Sequence, residues 1–324
     1  MKIFYEVLGG TILFAVPLLL VALGGMFSER SGIVNIALEG IMIIGSLTAC
    51  HMLRAMNTAG AVEHPQWAVF LALLAAGAVG MVFSLLLAFA SINLRADQTI
   101  GGTALNMMAP ALAVVITWAI QGQGQTTIFI PSWVRITQFS NGTGGFFQIV
   151  LFKNLLLTTP VSIVLLAISV ILLYRTRFGL RLRACGEHPQ AADSVGVNVY
   201  AMRYAGVIIS GFLGGIGGFA FTAAAGSGFQ SSVAGYGFLA LAVMIFGNWH
   251  PVRIFFAAMF FALFKVLPSY ITMIPFLPSL SGIKNSTYIY QMLPYIVTMI
   301  VLIFTSKSSK APKAAGIPYD KGSR

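Results

Sequence analysis

Four polar side chains stand inside or beside apolar stretches of the sequence, where they could hydrogen-bond a polar solute that crosses a membrane. A polar group is costly to bury in an apolar span, so each of these residues is a candidate functional residue. Structural roles are equally open, because the glutamate could cap a helix and one asparagine could bond across helices. The candidate pathway positions are Asn35, Glu39, Gln98 and Asn106.

A second candidate element is the segment from Arg175 to Arg203, which is rich in arginine and contains the pattern of a short helix. Pro189 suits the first position of a helix, and Gly196 suits the position that follows its last turn. Together they predict a helix of about two turns outside the membrane. Periodicity alone favours an amphipathic helix resting on lipid headgroups over a docking element for a cytoplasmic partner.

Catalytic and metal-binding motifs are missing from the sequence. It contains no GxSxG nucleophile motif and no GxxxxGK-Ser/Thr loop, which would bind nucleotide phosphates. Neither Cys50 nor Cys185 belongs to a CxxC pair. We therefore expect a protein that is not an enzyme and that holds no metal or nucleotide cofactor of its own. The histidines are scattered, without the HExxH spacing of a zinc site, at His51, His64, His188 and His250.

A run of glycines occupies residues 210–218, with the sequence SGFLGGIGG. Gly211 with Gly215, and Gly214 with Gly218, form two GxxxG pairs, which let helix backbones approach closely in lipid. A phosphate-binding loop is excluded because no strand precedes the run and no Lys-Ser/Thr follows it. The run predicts a tightly packed helix.

These elements belong to a chain with the composition of a membrane protein. Its 324 residues are 58% hydrophobic and only 8% charged, whereas soluble globular domains carry about 25% charged residues. The net charge of +11 comes from basic residues in short runs between apolar blocks. That distribution sets membrane orientation, so nucleic-acid binding is not expected.

The apolar stretches predict an all-α, polytopic bundle of about nine transmembrane helices, since one crossing needs roughly 20 apolar residues. The stretch from Tyr204 to Val252 is too long for one crossing, and the polar residues 226–232 divide it in two. The stretch from Ile36 to Leu53 contains Glu39 and His51, so it either spans the membrane or re-enters it. The remaining predicted spans are Val7 to Phe27, Gln66 to Leu94, Thr99 to Ile120, Asn154 to Tyr174, Ile254 to about Ile274 and Asn285 to Ser306.

The bias of lysine and arginine predicts the orientation. It places the N-terminus outside the cell and the basic tail, residues 307–324, in the cytoplasm, with residues 1–306 forming the transmembrane domain. Lys265 falls within a span, where we expect its amine to extend toward the membrane surface. The predicted cytoplasmic residues are Arg30, Arg95, Arg175, Arg177, Arg181, Arg183, Arg203, Arg253, Lys307, Lys310, Lys313, Lys321 and Arg324, and the predicted outer ones are Lys2, Arg54, Arg135, Lys153 and Lys284.

Four motifs, in chain order, resemble those of ABC importer permeases in the group that carries branched-chain amino acids, simple sugars and nucleosides. The first motif, with its Glu-Arg-Ser-Gly-x-Val-Asn core, is similar to that of the nucleoside-type permeases, particularly the shorter of their two paired subunits. One such motif would be weak, but four together are specific. They are ERSGIVNIALEGIM (29–42), DQTIGGTALN (97–106), GLRLRACGEHPQAADSVGVN (179–198) and GFLALAVMIFGNWHP (237–251).

The resemblance implies a multicomponent importer that moves a nucleoside. The partners would be a second, related permease, an ATPase subunit that binds ATP and Mg²⁺, an extracellular substrate-binding protein and the lipids of a bacterial cell membrane. The resemblance also changes the interpretation of the short helix: it implies a coupling helix that is seated in a groove of the ATPase. The expected coupling-helix residues are Glu187, His188, Pro189, Ala191, Ala192, Asp193 and Gly196.

Two alternatives stay open. Within the ABC class, the cargo could be a simple sugar or a branched-chain amino acid, because hydrogen-bonding amides suit a neutral sugar nearly as well as a nucleoside. In a different class, the chain could be a secondary transporter driven by an ion gradient, with Glu39 as its proton or sodium site.

Overall fold

The computed structural model describes residues 2–60, 62–135, 150, 155–270, 292–305 and 310–321. The chain folds as a helical bundle, which confirms the predicted all-α class. A 3₁₀ turn at Ser132–Val134 lies between the fourth and fifth helices. The α-helices of the described segments are α1 (Lys2–Arg30), α2 (Leu38–Thr58), α3 (Pro65–Ile92), α4 (Gln98–Gln121), α5 (Thr158–Arg175), α6 (Arg177–Glu187), α7 (Pro189–Ser194), α8 (Val199–Ala225), α9 (Tyr236–Phe246), α10 (Pro251–Tyr270) and α11 (Leu293–Thr305).

Each of the nine predicted spans contains a helix in its described residues, although the helix in the second half of the stretch from Tyr204 to Val252 has only 11 residues. In the described part of the chain, six helices are long and apolar enough to cross a membrane: α1, α3, α4, α5, α8 and α10. The segment that the sequence leaves open between spanning and re-entering is one continuous helix of 21 residues, α2. Helix α11 has 13 residues, and the first part of its predicted span lies outside the described residues.

Helices α1 and α8 form the centre of the bundle. About 78% of the most apolar stretch of α1 and 83% of that of α8 are buried, against 22% for α4 and α5. The glycine run of α8 allows this packing. A β-carbon at Gly45 of α2 would lie only 2.5 Å from the α-carbon of Gly215, so the two backbones touch directly, as the GxxxG pairs predict.

Helix α9 is half the length of a membrane crossing. Its 11 residues extend roughly 16 Å at the helical rise per residue. The backbone before it, residues 226–235, is not helical, which confirms the predicted division of the long apolar stretch. An isolated β-bridge between Ile128 and Phe229 ties this segment to the connection between α4 and α5.

Residues 310–321, here called the C-terminal strap, pack against the end of the bundle that carries α7. The amide N–H of Ala314 donates to the carbonyl of Gly186 at 2.8 Å, and that of Gly316 donates to the carbonyl of Gly32 at 3.2 Å. Tyr319 is buried. The described part of the predicted tail is therefore attached to the transmembrane helices. We refer to this end of the molecule as the α7 end.

Candidate functional site

The second, third and fourth sequence motifs each contact the first motif, residues 29–42. Within the first motif, residues 31–37 form the non-helical connection between α1 and α2, here called the linker. Because a buried connection leaves backbone groups without helical partners, side chains from other elements must satisfy them. Asn106 does so twice, donating from Nδ2 to the carbonyl of Ile36 and accepting from the amide N–H of Gly40, both at 2.8 Å. Gln98 accepts from the amide N–H of Val34 at 2.7 Å.

Asn35, the polar side chain of the linker itself, is fully buried. Its Nδ2 donates to Ser210 Oγ on α8 at 2.8 Å. Among the described residues, the Oδ1 of Asn35 and the Nε2 of Gln98 are buried without a hydrogen-bond partner. Three predicted pathway residues therefore lie together: Asn35 in the linker, and Gln98 and Asn106 against it. Asn35 and Gln98 each keep one side-chain atom there that can form a further hydrogen bond.

Glu39, the fourth predicted pathway residue, caps the half-length helix α9. Its Oε1 accepts from the amide N–H of Gly235 at 2.9 Å, and its Oε2 accepts from that of Gly237 at 2.7 Å. A carboxylate at a helix N-terminus satisfies amides that have no partner within the helix and complements the helix dipole. Glu39 thus caps a helix, although the helix is α9 and not its own.

A second polar contact joins the first motif to the fourth. Trp249 donates its indole N–H to Glu29 at 2.6 Å, and its carbonyl accepts from Nη2 of Arg30 at 3.2 Å. Asn248 and Trp249 have φ angles of +53° and +51°, which are unfavourable for a side chain as bulky as tryptophan. Glu29, Arg30 and Trp249 all lie within the quoted motifs. Sequence reasoning assigned no role to Glu29 or Trp249 and used Arg30 only to predict the orientation.

Arg30 also approaches the third motif. Its Nη1 lies 3.7 Å from Oε1 of Glu187, the last residue of α6. His188 follows as the non-helical residue before α7. The short helix that the sequence places around Glu187 to Gly196 is therefore shorter in the structure. His188 is not helical, and Glu187 belongs to the preceding helix.

Both ends of α7 follow the predicted pattern. Pro189 is its first residue. Gly196 follows its end with a φ of +84°, a conformation that glycine adopts without strain. The amide N–H of Gly196 donates to the carbonyl of Asp193 at 2.9 Å, and that of Val197 donates to the carbonyl of Ala192 at 3.0 Å. These two bonds form a Schellman motif, which fixes the direction in which the chain leaves α7.

Helix α7 has one buried face and one exposed face. Ala192 packs in a buried cluster with Cys185, Val199 and Tyr319. Asp193 lies 4.0 Å from the amine of Lys321 in the strap. The exposed residues in and beside α7 are His188, Gln190, Ala191, Ser194, Val195 and Gly196.

The strap holds α7 against the bundle. The ring of Tyr319 packs edge-on against Tyr200 of α8, with centroids 5.4 Å apart. Asp320 accepts from both terminal nitrogens of Arg95, at 2.9 and 3.0 Å. Burial raises the pKa of Cys185, beneath the strap, to about 11, so its thiol is protonated at neutral pH.

The opposite end of the bundle contains a polar cavity of about 540 Å³. The side-chain amides of Asn57, Gln121 and Gln125 line it, together with one charged residue, Arg54, and the exposed ring of Phe129. Its lining offers both donors and acceptors to a neutral solute. These residues were not singled out from the sequence, because they are spread over the ends of α2 and α4 and the long connection after α4.

Lys265 of α10 is partly buried inside the bundle. Its amine is 5.6 Å from the centre of the Tyr236 ring, a distance that allows a cation–π interaction. Tyr236 is buried at the start of α9. Among the described residues, no group of three or more His, Cys, Asp and Glu side chains is arranged to hold a metal ion.

A bundle of membrane-length helices with a half-length helix and buried polar groups is typical of transport proteins. Comparison with known proteins identifies the family. Residues 7–304 match the family described as the branched-chain amino acid transport system / permease component, and the chain belongs to it. It is thus a multi-pass membrane permease, a transport component and not an enzyme. No solved structure matches the chain.

Several curated relatives cover nearly the whole chain. The guanosine ABC transporter permease protein NupQ of Bacillus subtilis (strain 168) is 41% identical over 316 residues, covering 97% of this chain and 96% of that protein. The nucleoside ABC transporter permease protein NupC of Lactococcus lactis subsp. cremoris (strain MG1363) is 41% identical over 322 residues, with coverage of 97% and 96%. A more distant relative from the same strain, the nucleoside ABC transporter permease protein NupB, is 23% identical over 328 residues, with coverage of 98% and 86%.

Proposed function

We propose that this chain is a permease subunit of an ATP-driven importer and that its substrate is a nucleoside. The observation that carries the proposal is the 41% identity, over nearly the full length, to permeases named for guanosine and for nucleosides. The polar cavity at the end opposite α7 is large enough for a nucleoside. Its amides would bond the base and the ribose hydroxyls, and Phe129 would stack on the base.

The energy for transport would come from a separate ATPase subunit, which binds ATP and Mg²⁺. We propose that the exposed face of α7 seats in a groove of that subunit. Its exposed alanine and valine, Ala191 and Val195, form a small apolar surface, and the Schellman motif and the buried face of α7 keep the helix rigid. Closure of the ATPase would move α7, and the motion would pass directly into α8, because only residues 195–198 separate the two helices.

The position of α7 also implies an orientation. If the α7 end faces the cytoplasm, the C-terminus is cytoplasmic, the N-terminus is outside, and the amide-lined cavity faces the extracellular substrate-binding protein. This arrangement follows the bias of basic residues toward the cytoplasm in a bacterial cell membrane. The apolar side chains exposed on α3, α4 and α5 would face lipid and a second, related permease. NupB and NupC, two nucleoside permeases of unequal length in one bacterium, support such a pairing.

The buried end of the substrate pathway would include the linker. Asn35 and Gln98 each keep a buried amide atom without a partner in the described structure, and such a group forms a hydrogen bond when one is available. When the helices around the linker move apart, these amides would bond a neutral nucleoside. Asn106 would hold the backbone conformation of the linker during this movement, and Glu39 would keep the start of α9 capped.

Uptake of radiolabelled nucleosides tests the proposal. Cells lacking this chain and all redundant nucleoside transporters should lose uptake of uridine, adenosine and guanosine but keep uptake of ribose and leucine. The wild-type chain should restore it. Loss of ribose or leucine uptake instead would keep the permease but change the cargo. Uptake that survives ATP depletion but collapses with an ionophore would favour the secondary transporter.

Matched variants test the coupling helix separately. Ala191→Arg places a bulky cation on the exposed face of α7, whereas Ala184→Arg makes the same change on the exposed surface of α6. We expect Ala191→Arg and Gly196→Pro to reduce uptake at least tenfold and to lower the amount of ATPase that co-purifies with the permease. Ala184→Arg should do neither. Equal loss in both alanine variants would contradict docking through α7.

A further inference from the structure

A basic cavity of about 450 Å³ lies at the α7 end, apart from the linker and from the exposed face of α7. It opens between the end of α1, the end of α6, the turn between α9 and α10, and the start of the strap. Four arginine and lysine side chains face one carboxylate there, which leaves three positive charges in excess when histidine is neutral. The lining residues are Arg30, Glu187, Asn248, His250, Arg253, Lys310, Ala311 and Lys313.

Two nitrogen atoms of this cavity have no hydrogen-bond partner in the described part of the protein. The Nε of Arg30 is a donor, and the Nδ1 of His250 is one in the tautomer that carries its proton there. Arg30 makes one hydrogen bond, to the carbonyl of Trp249, and its contact with Glu187 is long at 3.7 Å. Within the described residues, its Nε and the Nδ1 of His250 are buried without a hydrogen-bond partner. A buried donor that stays unpaired is destabilising, so such groups are normally paired with an ion or a water molecule.

The start of α10, like the excess positive charge and the unpaired nitrogen atoms, indicates that the cavity binds an anion. Pro251 is its first residue, and Arg253 lies in its first turn. The N-terminus of a helix carries partial positive charge, and a cation in the first turn is therefore unfavourable. An anion at this position would remove the conflict, because it would bond the free amide groups of the helix and the guanidinium together.

The occupant must fit these donors. Arg30 and Arg253 can each offer two parallel N–H groups, a geometry that matches phosphate. Lys310 and Lys313 add two point charges from the strap. A dianion balances the three excess charges better than a monovalent ion, and the cavity has room for substituents on the anion.

We propose that this cavity is a binding site for a phosphate group. Its source is either the headgroup of an anionic lipid at the membrane surface or a soluble phosphate compound. The bound group would bridge α1, α10 and the strap, and so fasten the strap beside α6 and α7. The site would thus stabilise the position of the coupling helix, independently of which solute is transported.

The test uses the importer complex as isolated from cells. Arg253→Gln and Lys313→Gln remove exposed charges that line the cavity, so both variants should fold, and Arg181→Gln removes an exposed charge of α6 outside it. In the lipid arm, native mass spectrometry counts the phosphatidylglycerol retained against phosphatidylcholine. In the soluble arm, thermal unfolding is followed with inorganic phosphate against chloride at equal ionic strength.

We expect Arg253→Gln to weaken binding of the phosphate group about tenfold, because losing one hydrogen bond to a charged group lowers affinity by roughly that factor. Lys313→Gln should weaken it less, and Arg181→Gln should leave it unchanged. Selective loss of phosphatidylglycerol identifies a lipid headgroup, and selective loss of the phosphate-induced shift identifies a soluble ligand. Binding that is absent in both arms, or equally affected by Arg181→Gln, overturns the proposal. Release of the ATPase with neither ligand affected would also overturn it, since the charges would then serve a protein contact.

Discussion

At the scale of single residues, the contact between Glu39 and α9 allows two roles of this carboxylate to be distinguished: a helix cap and a site for a coupling ion. Both of its oxygens accept backbone N–H groups at the N-terminal end of α9, from Gly235 and Gly237, so the structure gives it a capping function. Glu39→Gln replaces one acceptor with an NH₂ group that faces an amide donor. We expect a loss of roughly 1–3 kcal/mol in stability, measured as a lower melting temperature of the purified complex, together with reduced nucleoside uptake.

Glu63→Gln makes the same chemical change on an exposed loop and should leave both measurements unchanged. A site for a coupling ion would behave differently from a cap. If Glu39→Gln kept the wild-type melting temperature while abolishing the dependence of uptake on an ion gradient, the capping role would be wrong.

At the scale of elements, the C-terminal strap is held by the pair of bonds between Arg95 and Asp320. Both partners are about half exposed, so the pair contributes roughly 1 kcal/mol despite its favourable two-bond geometry. We expect Arg95→Asp to release the strap more often and to expose Cys185 beneath it. Labelling of Cys185 by a maleimide should then be about fivefold faster, which corresponds to that free energy.

The reciprocal variant Arg95→Asp/Asp320→Arg restores opposite charges and should return labelling to the wild-type rate. Arg177→Asp, an equal charge change on the exposed surface of α6, serves as the control. Mass spectrometry of the labelled peptides separates Cys185 from Cys50. Slow labelling in every variant would show that the strap stays bound without this pair.

The elements that the sequence predicts well are those set by neighbouring residues. Apolar length locates the spans, and Pro189 and Gly196 fix the ends of α7 because helix starts and stops depend on local backbone geometry. The length of α9 and its cap were not predictable in this way. Glu39 and Gly235 are 196 positions apart in the chain, and no local pattern pairs them. The same reason explains why Arg30 and Trp249 were missed: the contact between them exists only after α1 and the turn before α10 come together.

At the scale of the whole molecule, α8 connects the proposed docking helix with the centre of the bundle. It follows α7 after a short turn and packs against α1, α2 and α3, so a displacement of α7 reaches the helices around the linker only if α8 moves as a rigid unit with them. Gly45 and Gly215 are at one of the close backbone contacts within this unit. A methyl group at Gly45 would lie 2.5 Å from the α-carbon of Gly215, and backbone cannot move away as a flexible side chain could.

Gly45→Ala should therefore separate α2 from α8 and destabilise the complex by about 1–3 kcal/mol, the usual effect of overpacking. Gly101→Ala is the matched control, because its new methyl group would meet only a leucine side-chain atom at 3.5 Å. Alanine also favours helix over glycine by up to about 1 kcal/mol, so this control should be neutral or slightly more stable. Melting temperature and ATP hydrolysis stimulated by substrate should fall together in Gly45→Ala, because one packed unit both stabilises the bundle and transmits the motion. A stable Gly45→Ala complex with normal stimulation would mean that α2 and α8 move separately.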